Sequence, residues 1–247
     1  MKDNFSSQAK LYAQYRPTYP PELFKHILKK VSNYISAWDC GTGNGQVAAE
    51  LAMHFAHVEA SDISQKQLDN AVKLPNINYK LSSAESTPYP DNHFDLITVA
   101  QAIHWFDFDR FFGEVERVAK PGSTIAVWGY GLMTTEEPIS QIIHDFHYKT
   151  TGPYWDEERK HVDNGYVKIP FPFKHSERKL FEFKTNWTLD QLGGYFKTRS
   201  AVQHFITKEG YDPVDAFINK IKPHWPKVSK TMEFIFPVFL TCGIIDK

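Results

Sequence analysis

Cysteine is scarce in this sequence, with only Cys40 and Cys242 in 247 residues. Two thiols build no disulfide framework, so the fold has to stand on its core. One strand-to-strand bridge stays open, and a reducing cytoplasm is the expected setting. Charge of one sign is missing too: 28 lysines plus arginines face 29 aspartates plus glutamates. With no basic stripe along the chain, bulk charge argues against nucleic acid and against an anionic membrane surface as partners. No run reaches the ~18 apolar residues that cross a bilayer. The start, MKDNFSSQAKLYAQYRP, is polar where a secretory leader would be apolar. Among 11 histidines, His144 and His147 stand close together on an expected helix, but no acidic or cysteine ligand shares that helix face, so no metal site is expected. A nucleophile elbow and a P-loop lysine are also absent. What remains is a cytoplasmic protein with a small-molecule partner, monomer and homodimer both open.

Length is not lacking, and 247 residues can bury a substantial core. From Asn33 onward, apolar runs that suit buried strands alternate with helical patterns. NYISAWD, HVEASD, INYKLSSAE, FDLITVAQA and TIAVWGYG read as five strands. Between them, Val47, Ala48, Leu51, Ala52 and Phe55 recur at helical spacing, and Ser64 caps a second helix carrying Leu68, Ala71 and Val72. Phe111, Phe112, Val115 and Val118 line a third helix, which KPGS ends. This alternation implies right-handed βαβ units and a doubly wound, mostly parallel α/β sheet over residues 33–131.

The second half is less regular. A helix is expected near Ile139–Tyr148, then an irregular stretch, TTGPYWDEERKHVDNGYVKIPFPF, rich enough in aromatics to form an ordered lid. KLFEFKTNW and TMEFIFPVFLTCGI read as strands, TLDQLGGYF and PVDAFINKI as helices. Pro237 inside the last strand removes a ladder donor and predicts a bulge or a sheet edge there.

The sharpest feature is WDCGTGNG, where Gly41, Gly43 and Gly45 lie between a strand and a helix. Such a turn presents free backbone N–H groups and lets a ligand approach closely. Asp62, closing the second strand, stands where a carboxylate can accept hydrogen bonds from ribose hydroxyls. A plain turn and a dinucleotide site are both alternatives. Against the dinucleotide stand two details: the GxGxG spacing lacks the helix-packing glycine, and Asp39 at the strand end would repel a pyrophosphate. Two carboxylates around three glycines suit an adenosine with a cationic tail.

These segments resemble class I S-adenosylmethionine-dependent methyltransferases of the small-molecule type. DCGTGNG is similar to the family's first motif and ASDIS to the segment after it. SSAESTPYPDNHFDLITVAQAIHWF and RVAKPGSTIAV resemble the later motifs, in order and over about half the chain. YAQYRPTYPPELF and GYFKTRSAVQHF resemble the methyltransferase type 11 group that includes trans-aconitate methyltransferase-like proteins, although relatives often carry tryptophan where this chain has Arg199. The resemblance implies a seven-stranded Rossmann-like sheet with an antiparallel last strand, helices on both faces and an added aromatic lid. It implies one domain, 1–247: a cofactor-covering segment (1–32), a cofactor-binding core (33–131), a lid and substrate region (132–200), and a C-terminal helix and strand (201–247). It places Gly41, Gly43 and Gly45 against the methionine part, Asp39 near its amino group, Asp62 on the ribose and Ile63 against adenine. Ser83, Ala84 and Glu85 fall near the adenine amino group, Ala100 and Gln101 under the methionine chain. Tyr12 and Arg16 come from the segment over the cofactor mouth.

For the methyl acceptor, His104 is the candidate to orient or deprotonate it. Trp105, Trp128, Tyr130, Tyr154 and Trp155 are candidate pocket walls. A carboxylic acid needs no base, and Arg16 and Arg199 are the candidate clamp for one. An NAD-dependent oxidoreductase and a cofactor-binding regulator without turnover are the competing readings.

Overall fold

Strand β1 (Ser36–Cys40) is buried along its whole length and pairs in parallel with β2 (His57–Asp62) on one side and β4 (Phe94–Ala100) on the other. A strand so placed is buried on both faces: Ala37, Trp38 and Cys40 are apolar, and the Ser36 hydroxyl and the Asp39 carboxylate are hydrogen-bonded. The computed structural model, which describes residues 18–227 and 230–247, extends this nucleus to a seven-stranded sheet in the order β3-β2-β1-β4-β5-β7-β6. The remaining strands are β3 (Ile77–Leu81), β5 (Ala119–Tyr130), β6 (Lys174–Trp187) and β7 (Met232–Ile245). Only β7 runs against the others, pairing antiparallel with both β5 and β6.

Each face of the sheet is covered by its own apolar cluster. On one, Leu23, Phe24 and Ile27 of α1 (Pro21–Leu28) and Val47, Ala48 and Leu51 of α2 (Gln46–Leu51) join β-strand residues such as Phe234 and Phe236. On the other, Phe111, Phe112, Val115 and Val118 of α4 (Phe108–Val118) pack around Trp38, Phe94 and Ile97. Asp107 caps α4 by accepting the Arg110 N–H, and α4 stops at Ala119, where the backbone turns extended. Pro121 and Gly122 of the KPGS stretch then loop out of the β4–β5 ladder, whose register jumps between Phe94 and Leu96. Between β2 and β3 lies α3 (Gln65–Asp69), capped by the Ser64 hydroxyl as its sequence indicates. Both cysteines are buried and free, so no disulfide joins β1 to β7.

Chain 132–221 is more helical than its composition suggested. Helix α5 (Ile139–Asp145) widens into a π turn over Phe146–Thr150, followed by α6 (Arg159–Asp163), α7 (Leu189–Lys197), α8 (Ser200–Glu209) and α9 (Val214–Ile221). The α7 start carries a reciprocal capping box between Thr188 and Gln191. Helix α8 escaped the sequence because its apolar residues, Ala201, Val202 and Phe205, are few and broken by polar ones.

Pro237 corrects an expectation. It produces neither a bulge nor an edge: β7 lies inside the sheet, and its ladder with β6 runs unshifted from Glu177 to Trp187. The carbonyl of Pro237 accepts the Gly131 N–H, one residue past the end of β5. Its missing donor therefore faces the β5 side beyond that strand's last residue, Tyr130, and costs no bond within the strand.

One polar tie sits deep in this framework. Buried Asp95 accepts from the backbone N–H of Ile35 at 3.1 Å and Ser36 at 2.9 Å, and from Lys120 Nζ at 2.7 Å. It joins the entry of β1 to β4 and β5. Asp95→Ala leaves these donors without their acceptor and should cost about 3 kcal/mol, read as a lower urea midpoint at unchanged slope.

Candidate active site

The sheet order reverses between β1 and β4, and at such a switch point the carboxyl ends of the strands leave a crevice. A cleft of about 1130 Å³, part of it open to solvent, lies there. From the sequence candidates it gathers Gly41, Gly43, Asp62, Ile63, Ala84, Ala100 and Gln101. His104, Trp105, Tyr130, Trp155 and Arg199 line the same space. Asp39 opens instead on an adjoining hollow of about 440 Å³ that shares Gly41, Gly43, Ala100 and Tyr130 with the cleft.

The glycine turn is gripped from both sides. Thr42 donates its hydroxyl to Asp39 Oδ2 at 2.5 Å, and Thr98 donates to Oδ1 at 2.9 Å. Asp62 accepts the Gly43 N–H at 2.8 Å through Oδ2 and the Ser64 N–H at 2.9 Å through Oδ1. Burial pushes the Asp39 carboxyl up to about 6, the nearby Asp62 charge adds to this, and the two threonine hydroxyls hold it back. A buried carboxylate in this state favours a cation beside it.

The glycines divide their work. Gly43 has φ +56° and nothing within 4 Å of where a Cβ would stand, so its backbone is bare toward the ligand space. Gly45 caps α2 at φ +79°, and a Cβ there would lie 2.2 Å from the Tyr79 hydroxyl. Its constraint comes from the fold. At the end of β4, Gln101 adopts φ +54°, rare for a side chain, and its amide exchanges hydrogen bonds with the Tyr130 backbone.

His104 is buried, and desolvation lowers its imidazole to about 3, with Arg159 and His161 adding to the shift. Its Nδ1 lies 2.8 Å from the Tyr166 hydroxyl and its ring lies against Trp105. A neutral ring held this way orients a neighbour well and accepts protons poorly near neutrality. Arg199, 4% exposed, sets its guanidinium over the Tyr195, Phe196 and Trp155 rings.

Several sequence candidates lie elsewhere. Tyr12 and Arg16 are outside the described residues. Trp128 is in the core against Tyr19 and Phe24, and Tyr154 turns outward to donate to Glu209. Ser83 bridges to Ser86, and Glu85 accepts the Asp107 N–H; neither lines the cleft. Conversely, Arg159, Asp156 and Tyr195 line the cleft unforeseen. Arg159 stands four residues before Asp163, the spacing of an ordinary exposed helical ion pair, which hid it. It makes that pair, Nε donating to Asp163 Oδ1 at 2.8 Å, but its guanidinium also lies 4.5 Å from the Trp155 ring centroid, with Nη2 buried and without a hydrogen-bond partner.

The chain is similar to known proteins. Residues 38–127 match a family model described as a methyltransferase domain. A Dictyostelium discoideum protein provisionally assigned as a methyltransferase is 34% identical over 245 residues, 96% of this chain and 93% of that one. The solved structure of a provisionally assigned type II methyltransferase from Anaeromyxobacter dehalogenans is 33% identical, with a TM-score of 0.85 over 94% of this chain and 99% of its own. A Haemonchus contortus phosphoethanolamine N-methyltransferase, solved with S-adenosylhomocysteine, shares the fold alone: 18% identity, TM-score 0.51, 96% of this chain and 57% of that one.

The two glycines should separate on substitution. Gly45→Ala meets both the left-handed backbone and Tyr79, and should lose clearly more stability than the ~1–2 kcal/mol of backbone strain alone. Gly43→Ala should lose about that strain and, unlike Gly45→Ala in its folded fraction, most of its S-adenosylhomocysteine affinity. Urea unfolding and calorimetry on both variants check this.

Proposed function

Since this chain belongs to the S-adenosylmethionine-dependent methyltransferase family, we propose that it methylates a small organic acid on a carboxylate oxygen. The oxidoreductase alternative falls with family membership. The observation that carries the acceptor class is the pair Arg159 and Arg199, both on the wall of the cofactor cleft and both within 5.3 Å of the Trp155 ring centroid. A guanidinium fork matches a carboxylate in two parallel hydrogen bonds, and the buried Arg159 Nη2 has a donor to give.

When bound, S-adenosylmethionine supplies an electrophilic methyl group on a sulfonium. The residues suited to hold it are Asp62 for the ribose hydroxyls, Ile63 for the base, Gly41 and Gly43 for the methionine chain, and Asp39 for its ammonium. An ionised carboxylate attacks without giving up a proton, so no general base is needed. That agrees with His104, whose imidazole at about 3 is unfit to take one near neutral pH. His104 and Trp105 instead shape and orient the acceptor, and the chain's contribution is to bring nucleophile and methyl into line and keep water out.

The deciding experiment is methyl transfer to a metabolite panel that sets carboxylic acids against phenols and amines. Carboxylic acids should lead. Arg159→Ala and Arg199→Ala should each raise the acceptor KM about tenfold or more, with S-adenosylhomocysteine affinity little changed. An unchanged KM in both sinks the clamp. Asp39 gives an independent test. Its folded value lies above the ordinary carboxylate range, so it contributes stability below that range which is lost as pH rises through about 6. A cofactor ammonium beside it reverses this by expelling the proton. Calorimetry in buffers of differing ionisation enthalpy should show release of about half a proton at pH 6 and almost none at pH 8. Asp39→Asn should abolish the difference.

A further inference from the structure

Behind the wall that carries both arginines stands a fully buried histidine, His147, at the π turn that follows α5. Its Nδ1 lies 3.2 Å from Arg199 Nη1. Arginine has donors only, so Nδ1 accepts, and the ring proton sits on Nε2. On that side, Nε2 is 3.9 Å from Asp163 Oδ1, too far for a hydrogen bond but close for a charge. The same Asp163 oxygen accepts from Arg159 Nε at 2.8 Å. Arg199, His147, Asp163 and Arg159 therefore form one chain behind Trp155, whose indole N–H donates to the His147 carbonyl at 3.4 Å.

We propose that His147 is a positioning residue for the acceptor site: its Nδ1 fixes the guanidinium of Arg199, as Asp163 fixes that of Arg159. The assignment rests on the carboxylate reading of the acceptor. The ring contacts of Arg199 hold the plane of its guanidinium, and the hydrogen bond to Nδ1 sets the direction of its fork. His147 does this only while uncharged, because an imidazolium has no lone pair to offer. The charged groups facing it are Arg199 at the start of α8 and Arg159 and Asp163 of α6, with the Tyr148 ring beside it on its own turn. Burial first, then the two arginines, hold the ring to about 3, against the pull of Asp163.

Two measurements test this. In protein labelled with 15N-histidine, His147 should show a bare Nδ1 and a protonated Nε2 from about pH 5 to pH 9. An Nδ1–H tautomer or an imidazolium in that range overturns the assignment. In the second, fumarate and benzoate serve as carboxylate probes, titrated into protein saturated with S-adenosylhomocysteine. His147→Phe keeps a ring against Trp155 and removes the acceptor atom; it should weaken probe binding about tenfold, with cofactor affinity unchanged. His147→Asn, which places a carbonyl oxygen near the Nδ1 position, should recover most of that loss. No weakening in the Phe variant, or equal weakening in both, overturns the proposal. Loss of probe binding in Arg199→Ala with no effect of His147→Phe refutes His147 alone. If neither probe binds the wild-type protein, the carboxylate reading falls with its dependent role for His147, and the imidazole spectrum still decides whether His147 orients Arg199.

Discussion

Two carboxylates at the ends of adjacent parallel strands hold the glycine turn in place. Asp39 takes the Thr42 hydroxyl and Asp62 takes the Gly43 N–H, so the turn between them is fixed before any ligand arrives. Parallel pairing of β1 with β2 brings the two side chains to the same end of the sheet. The arrangement is unfavourable by itself: burial above all, and the Asp62 charge to a lesser degree, raise the Asp39 carboxyl. Two acids near one loop are tolerable because each is hydrogen-bonded, and they become favourable when a cation and hydroxyl groups enter. Much of the site follows from that: the bare Gly43 backbone, the adjoining hollow, and the place for a nucleoside.

The proposed acceptor side is built on another basis. Its two arginines follow β5 in the chain, Arg159 in α6 and Arg199 at the start of α8; they lie against aromatic rings and have polar partners in exposed Asp163 and buried His147. Guanidinium groups suit such a wall because they are weakly hydrated and lie flat against rings. The neutral His104 and His147 keep the positive charge there from growing further.

The geometry of the glycine turn and of the two carboxylates beside it was legible because its constraints are local. Strand, turn and helix succeed one another within a short span, and Asp39, the glycines and Asp62 fall on the positions the pattern names. The arginine wall of the cleft was not, because its residues meet only after folding. Arg159, Asp163 and Tyr166 lie in the stretch that reads as an irregular lid, and His147 reads as one of a close histidine pair. None carries a spacing that would single it out. Trp128 and Tyr154 show the reverse problem, since an aromatic in the right segment says little about the direction it faces. Pro237 was misjudged for a related reason: its effect depends on where the neighbouring strand ends, which its own sequence does not contain.

Gly45 and Tyr79 stand far apart in the chain, yet the space a methyl group would need at one is filled by the hydroxyl of the other, which also donates to the Val72 carbonyl. Substitutions at the two sites are therefore energetically coupled, and their effects cannot be summed. What a side chain costs at Gly45 depends on what β3 carries. Across diverging sequences these positions should drift as a pair, so that the last glycine of a ligand-binding signature records a packing neighbour more than it records the ligand.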